Sequence, residues 1–507
     1  MKRIKLFIVF MMPLAVAFPQ QQGFFSLYDY GEKSLCASSV IETESGGFIV
    51  AAYDYYNRPG ELVKLSDDGT LQKRVSISDE NTVSFVDGIY HDPSAQGWYY
   101  AIGFICKSNM SDCKPYVLRF DEDLNISERI EVELPSVYAC FNMTRAILTD
   151  AGDILYAASL DAQDSFHRLY MRIALDGTLT KFYEETSGCG YGIMINAIFE
   201  FPEGNYFGDY RNSYLAQGYA TLCMRLFGFD DSFVFDTIRQ YEAISQVGAD
   251  TVYSVFHTNS ANGTVLPVND TTLLFSERAE EAWYHPSSGH FYDRDRSTIL
   301  FSTDMSGEIR DYLVIGSRND TVEVPVSFNA IDMAKNNDLS MESVYHGCYG
   351  SSGWIPDISP YNLILTKLDP QLNVKWQHSY THPSKFLQAT YLMATKDGGC
   401  LVVGGAYKDN HYDLFALKVN SDGYVGTDEI IITEEFCIYP NPVKDVLHIL
   451  APEKLKSIEL YDLQGRLVRK QTQDLESIEL QGLTPGQYVM KVTLQDGKVF
   501  TDKVVKE

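Results

Sequence analysis

The sequence predicts an all-β chain in two parts, a seven-bladed β-propeller followed by a small Ig-like β-sandwich. Three observations lead there. Between residues 18 and 431 a four-strand pattern recurs seven times. So long a stretch exceeds one ordinary core, and a repeated unit that buries its faces against its neighbours is the expected solution. Residues 436–507 change rhythm, with short alternating apolar runs separated by Pro, Gly and Asp turn signals, the pattern of a compact sandwich.

The elements follow in chain order. Lys2, Arg3 and Lys5 precede an apolar run from Leu6 to Val16, and Ala15, Val16 and Ala17 satisfy the small-residue cleavage rule. Residues 1–17 are therefore expected to be a signal peptide, not a membrane span. No cysteine stands near that point to carry a lipid, and no later apolar run is long enough to cross a bilayer as a helix. A soluble mature chain without a transmembrane segment is expected.

The repeat reads as an apolar strand into a glycine turn, a second strand, a loop, a third strand, an acidic turn and a fourth strand. The clearest copies are ESGGFIVAAYDYY with ELVKLSDDGTLQKR, AGDILYAAS with LYMRIALDGTLTKF, and KDGGCLVVGGAYKD with YDLFALKVNSDGYVG. The acidic turns fall at Gly69, Asp123, Gly177, Asp230, Gly307, Leu372 and Gly423. A four-stranded antiparallel unit repeated seven times is the mark of a propeller. Two segments compete to close the ring: Gly23 to Tyr28 and Tyr424 to Ile431 both suit the outer strand of the last blade. Residues 432–435 read as a linker to the sandwich.

Charge bounds the partners. The chain has 68 acidic and 41 basic residues and a formal charge of −27. Residues 436–507 are balanced and the signal peptide is basic, so the propeller carries the whole acidic excess. Such a field repels nucleic acid and anionic membrane surfaces, which argues against both as partners. It suits solubility outside the cell first and cation binding second.

Nine cysteines are present, and passage through an oxidising compartment permits disulfides. Cys106 and Cys113 flank one hairpin loop, and Cys140 and Cys189 both precede first strands of adjacent blades, which makes each couple a candidate disulfide. Cys36, Cys223, Cys348 and Cys400 are unassigned.

Strand direction locates a working surface. In an up-down-up-down blade the glycine and acidic turns share one face, while the second-to-third-strand loops and the links between blades share the other. The second face carries the insertions CKSNMSDCK, ERAEEAWYHPSSGHFYDRDR and HGCYGSSGWIPDISPY. Their Trp283, Tyr284, His285, His290, Tyr292 and Trp354 are the candidate ligand-binding residues. Rings of this kind either stack on a sugar or peptide or pack their own loops.

Chemistry is sparse. Glu280, Glu281, Asp293 and Asp295 supply carboxylates of the type that glycoside cleavage uses, but acidic residues on an acidic loop are expected for solvation alone. His285 and His290 with Asp293 and Asp295 match no ligand spacing. No nucleophile elbow, phosphate loop or HExxH is found. No catalytic residue, metal or cofactor is assigned. The Asp and Gly of the acidic turns are there for left-handed and side-chain-bonded turn conformations.

Tyr439, Pro440, Asn441 and Pro442, then Gly465 and Arg466, then Gly486 with Tyr488, resemble in order and spacing the type A C-terminal sorting domain of cargo exported by the type IX secretion system of Bacteroidetes. The resemblance covers residues 436–507 alone. It implies the secretion machinery as partner, export across the outer membrane, removal of the module, and a cell-surface or extracellular destination. The repeats are similar to secreted Bacteroidetes propeller repeats with a DGG turn. Asp-Thr triplets at Asp236, Asp250, Asp270 and Asp320 resemble O-glycosylation sites of the same bacteria. Together these give a surface-displayed, non-catalytic binding module for an unknown extracellular glycan or protein. The alternative is a glycan-cleaving hydrolase or lyase using the insertion-bearing face.

Overall fold

The computed structural model describes residues 23–506, apart from 30, 32, 55–58, 80, 139–140, 163–164, 188–194, 201–205, 217–218, 230–234, 242–251, 256–263, 286–289, 316–320, 327, 335–342, 353–361, 428–429, 435, 440, 442 and 452–453. Every described element is a strand. Short runs rich in Val, Ile, Tyr and Phe, punctuated by Gly and Asp, leave no helical period to follow.

The strands fall into four-stranded antiparallel units. The first holds Leu35–Glu42, Phe48–Asp54, Glu61–Leu65 and Leu71–Ser76. The second holds Thr82–His91, Trp98–Lys107, Lys114–Asp121 and Ile126–Glu131. The third and fourth run the same way from Phe141 to Ser187 and from Ile195 to Tyr241. The fifth is Thr264–Asn269, Thr272–His285, His290–Asp304 and Ile309–Ile315. The sixth is Ile331–Ala334, Ser343–Ser352, Asn362–Leu368 and Val374–Thr381. In the seventh, Phe386–Ala394, Cys400–Lys408 and His411–Val419 are completed by Phe24–Tyr28, whose Phe24 stands opposite Lys418 and Tyr28 opposite Leu414.

Of the two segments that competed for that outer place, the N-terminal one therefore holds it. Residues 432–435, expected as a linker, largely form the strand Ile431–Glu434, which pairs with His378–Thr381 on the outer edge of the sixth unit. Ile430 just before it is buried with Leu363, Tyr380 and Phe415.

The innermost strands of successive units lie against one another in order, and the seventh lies against the first. The apolar cores sit between units. Phe24, Tyr28, Leu35, Phe48, Leu401 and Leu414 join the seventh to the first, and Ile102, Tyr156, Leu169 and Met171 join the second to the third.

One turn recurs at the outer hairpin. Ser66 N donates to Thr70 O at 2.9 Å and Gly69 N to Ser66 O at 3.0 Å, and the same pair of bonds closes the turns at Asp121, Ala174, Asp304, Asp369 and Asn420. This is a type I turn followed by one left-handed residue and a bulge, which restores strand twist. Gly69, Gly177, Gly307 and Gly423 take the left-handed place, whereas Leu124 and Leu372 occupy it at φ of 55° and 62°. The acidic first residue bonds the turn itself. Asp121 Oδ1 accepts from Asp123 N and Asn125 N, and Asp369 Oδ1 from Gln371 N and Asn373 N. These carboxylates are turn caps.

Residues 437–506 form a sandwich of Cys437–Tyr439, Val446–Leu450 and Ser477–Glu479 against Leu467–Gln471, Leu455–Asp462, Gly486–Leu494 and Val499–Lys506. Leu447, Ile458, Leu460, Met490 and Val492 fill it.

Candidate functional site

The face opposite the paired turns is shaped by units five and six. The second and third strands of unit five run on past the ordinary hairpin length to His285 and His290, so the insertion expected as a loop is a long antiparallel ribbon. Val252–Val255 pairs with Glu280–Trp283 along one edge. Thr321–Pro325 pairs with Cys348–Ser352 of unit six and meets the ribbon through a single parallel bridge from Val322 to Arg296. The two insertions are thereby joined into one continuous sheet.

The ribbon's register fixes which candidate residues share a face. Trp283 stands opposite Tyr292, Tyr284 opposite Phe291 and His285 opposite His290. Because successive residues alternate, the Trp283–Tyr292 and His285–His290 rungs belong to one face and the Tyr284–Phe291 rung to the other. Glu281 stands opposite Asp295, and the register then shifts before Ala282 opposite Asp293. Trp354, Cys140 and Cys189 lie outside the described residues. On the same face of unit two, Cys106 and Cys113 form a disulfide across the loop Lys107–Asp112. Cys36, Cys348 and Cys400 are buried, and burial pushes the thiols of Cys36 and Cys400 up to about 12, far from a reactive thiolate.

Sequence reasoning missed an aromatic cluster near this face. Phe328 and Asn329, in the lead-in to unit six, donate their amides to Thr390 O at 2.7 and 3.3 Å in unit seven. The Phe328 ring then meets Tyr53 of unit one and Phe85 of unit two, at 6.1 and 5.5 Å between centroids. Nothing local in the sequence around Phe328 signals so distant a contact.

The buried polar groups tie units together. Asp87 is the extra residue of a bulge in Thr82–His91, and Thr144 of unit three donates to its Oδ1. Burial raises the Asp87 carboxyl to about 7, against the pull of Thr144 and Arg145. Ser276 and His346 bond at 2.9 Å between units five and six, and burial lowers the His346 imidazole to about 3. Both residues are fully buried, so this is a neutral inter-unit tie and not a nucleophile with its base. Among the described residues, Asp29, His411 and Asp413 could hold a cation, but the Lys385 ammonium already pairs with Asp413.

In the sandwich, most of the described motif residues serve the fold. Asn441 Nδ2 donates to Lys503 O at 2.6 Å and its Oδ1 accepts from Val505 N at 2.8 Å, clamping the last strand. Gly465 holds φ of 76° in the turn that Asp462 caps, and Arg466 Nε reaches Asp462 Oδ2 at 2.7 Å. Gly486 also has positive φ. The Tyr488 hydroxyl donates to Thr484 O at 2.7 Å. Tyr439 faces outward to unit six: its hydroxyl donates to Val374 O at 2.9 Å, and with Leu450 it packs on the cluster containing Leu372 and Val374. Pro440 and Pro442 lie outside the described residues.

Residues 437–507 match the family model of the secretion system C-terminal sorting domain. The chain is thus cargo for type IX secretion, exported across the outer membrane to the cell surface or extracellular space. The secretion machinery is its partner in that step. No curated protein matches the chain.

Solved structures similar to it include polysaccharide lyase Uly1, at 8% identity and TM-score 0.42 over 78% of this chain and 92% of the other. The GH93 α-L-arabinofuranosidase of Fusarium graminearum matches at 11% identity and TM-score 0.41 over 79% and 98%. A protein of unknown function from Bacteroides caccae matches at 11% identity and TM-score 0.29 over 55% and 81%. No helix among the described residues is long and apolar enough to cross a membrane.

Proposed function

We propose that residues 18–431 form a closed seven-bladed propeller that acts as a non-catalytic binding module for an extracellular glycan or protein. A signal peptide at residues 1–17 starts its export and the module at 436–507 completes it. Contact of the seventh innermost strand with the first, and completion of the seventh unit by Phe24–Tyr28, support the closed ring.

The observation that carries the binding reading is the continuous sheet built from the insertions of units five and six. It presents aromatic register positions on a braced ribbon, and rigid aromatic anchors are what hot spots use. Trp283, Tyr284, His285, His290, Tyr292 and Trp354 are the proposed ligand-binding residues. A hydrolase or lyase is the second reading, favoured by Glu281 standing opposite Asp295.

Probing a glycan and host-protein array with the exported chain should give a ligand whose binding is abolished by Trp283→Ala, Tyr284→Ala and Trp354→Ala together, with the melting temperature almost unchanged. Unchanged binding would place the site elsewhere, and a melting temperature lowered by many degrees would make the rings packing residues. Bond cleavage in the captured glycan, lost in Glu281→Gln, would establish the second reading.

A further inference from the structure

The sorting module meets the propeller with one of its two sheets. Tyr439 and Leu450, on the outer side of the three-stranded sheet, pack on the unit-six cluster of Leu372 and Val374. The outer side of the four-stranded sheet is thereby turned away from the propeller. Its rungs follow from the register. Leu467, Tyr461, Val489 and Lys503 stand side by side across the four strands, and because Leu460 and Met490 point into the core, these neighbours point out. Leu467 is 50% exposed and Val489 38%, and Leu463 on the adjoining turn is 64% exposed. The next rung is charged: Lys470, Glu459 and Lys491 stand abreast, with Glu459 taking the two ammonium groups at 2.7 and 3.4 Å. Apolar side chains set together on an outward face contribute nothing to the sandwich core, and such patches mark contact surfaces.

We propose that this outward face, centred on Leu463, Leu467 and Val489, is the surface by which the type IX secretion machinery takes hold of the chain. Residues 437–507 match a module that serves sorting, and its other sheet leans on the propeller, so this is the sheet face left open to a receiving protein. The face also states the chemistry of that protein. It needs an apolar patch to cover the three side chains, bordered by carboxylates, because Lys470, Lys491 and Lys503 outnumber Glu459 here. The same acidic border would repel the propeller, which carries the negative excess of the chain, and so would favour the module over the cargo joined to it. The inference is independent of what the propeller binds.

The test follows delivery of the full chain to the surface of cells that carry the secretion system, scored by protease added from outside. Leu467→Thr with Val489→Thr keeps strand-forming side chains. It should slow delivery by more than about 10-fold, the loss expected when an interface anchor is truncated, with the melting temperature almost unchanged. Leu463→Glu lies on the exposed turn, outside the strand ladder, and should slow delivery by about as much by setting a carboxylate against the partner's own. Val446→Thr removes a side chain that is 39% exposed on the three-stranded sheet and should leave delivery at the wild-type rate. Deleting residues 436–507 should abolish delivery. Retention of that truncated chain together with normal delivery of both patch variants would overturn the proposal while leaving the role of the module intact. Equal slowing by Val446→Thr would overturn it too, as would a wild-type dimer that both patch variants dissociate, since the face would then belong to a second copy.

Discussion

Replacing Gly69 with Ala tests the closure of the ring at one atom. Gly69 has φ of 81°, and a Cβ built on it would lie 2.3 Å from the Phe24 ring. Phe24 belongs to the strand that completes the seventh unit, and the Tyr28 hydroxyl of that strand donates to Gly69 O at 2.6 Å. Two costs add: about 1–2 kcal/mol for an L side chain in left-handed backbone, and about 1–3 kcal/mol for overpacking. The sum is about 2–5 kcal/mol.

Gly152 is the control, because its φ is 82° and a Cβ there meets nothing within 4 Å. Gly152→Ala should cost only about 1–2 kcal/mol. Urea midpoints of the two variants measure the difference. Phe24→Ala should remove the clash, so Gly69→Ala combined with it should cost about 1–3 kcal/mol less than the two singles added. Equal costs at Gly69 and Gly152, with strict additivity to Phe24→Ala, would refute the seating of the N-terminal strand over this corner.

Two further outcomes follow from buried groups. The Cys106–Cys113 disulfide closes a short loop, so Cys113→Ser should lower stability by about 2–3 kcal/mol without abolishing folding. Peptide mapping of non-reduced exported protein that found both thiols free would contradict it. Burial raises the Asp87 carboxyl to about 7 in the folded state, well above the ordinary aspartate range. Its neutral form therefore suits the fold, and its contribution is full below about pH 4 and lost as pH rises to 7. Wild type should lose unfolding free energy across that window relative to Asp87→Asn, on the order of a few kcal/mol. Parallel pH profiles would show that the group is not buried as described.

The repeat was legible because its turns make demands that only certain residues meet. A left-handed corner selects Gly at Gly69, Gly177, Gly307 and Gly423, and the cap selects Asp or Asn, so the punctuation recurs. Leu124 and Leu372 break the glycine pattern because their side chains are buried in the inter-unit cores. The ribbon of unit five was not legible, because ERAEEAWYHPSSGHFYDRDR mixes charged and aromatic residues without a regular alternation of period two. Val252–Val255, Thr321–Pro325 and Ile431–Glu434 were missed because strands of four or five residues carry too little pattern. Of the candidate site, sequence supplied the face and the residue types, while the rungs and the bridge at Arg296 depend on register. The sorting module was legible as a family match, and Asn441, Gly465 and Tyr488 each meet a fixed backbone need of the sandwich.

The pairing of Phe24–Tyr28 with Leu414–Lys418 also sets the order of assembly. Nearly the whole repeat region is the loop that this pairing closes, and contacts of such separation form late and slowly. Until they form, one copy presents an apolar strand without a seat and a seat without its strand. The entropic penalty of a long loop grows only logarithmically, so the strand of a second copy competes on favourable terms as concentration rises. Refolding from denaturant at high protein concentration should accordingly yield strand-exchanged dimers, while dilute refolding gives the monomer.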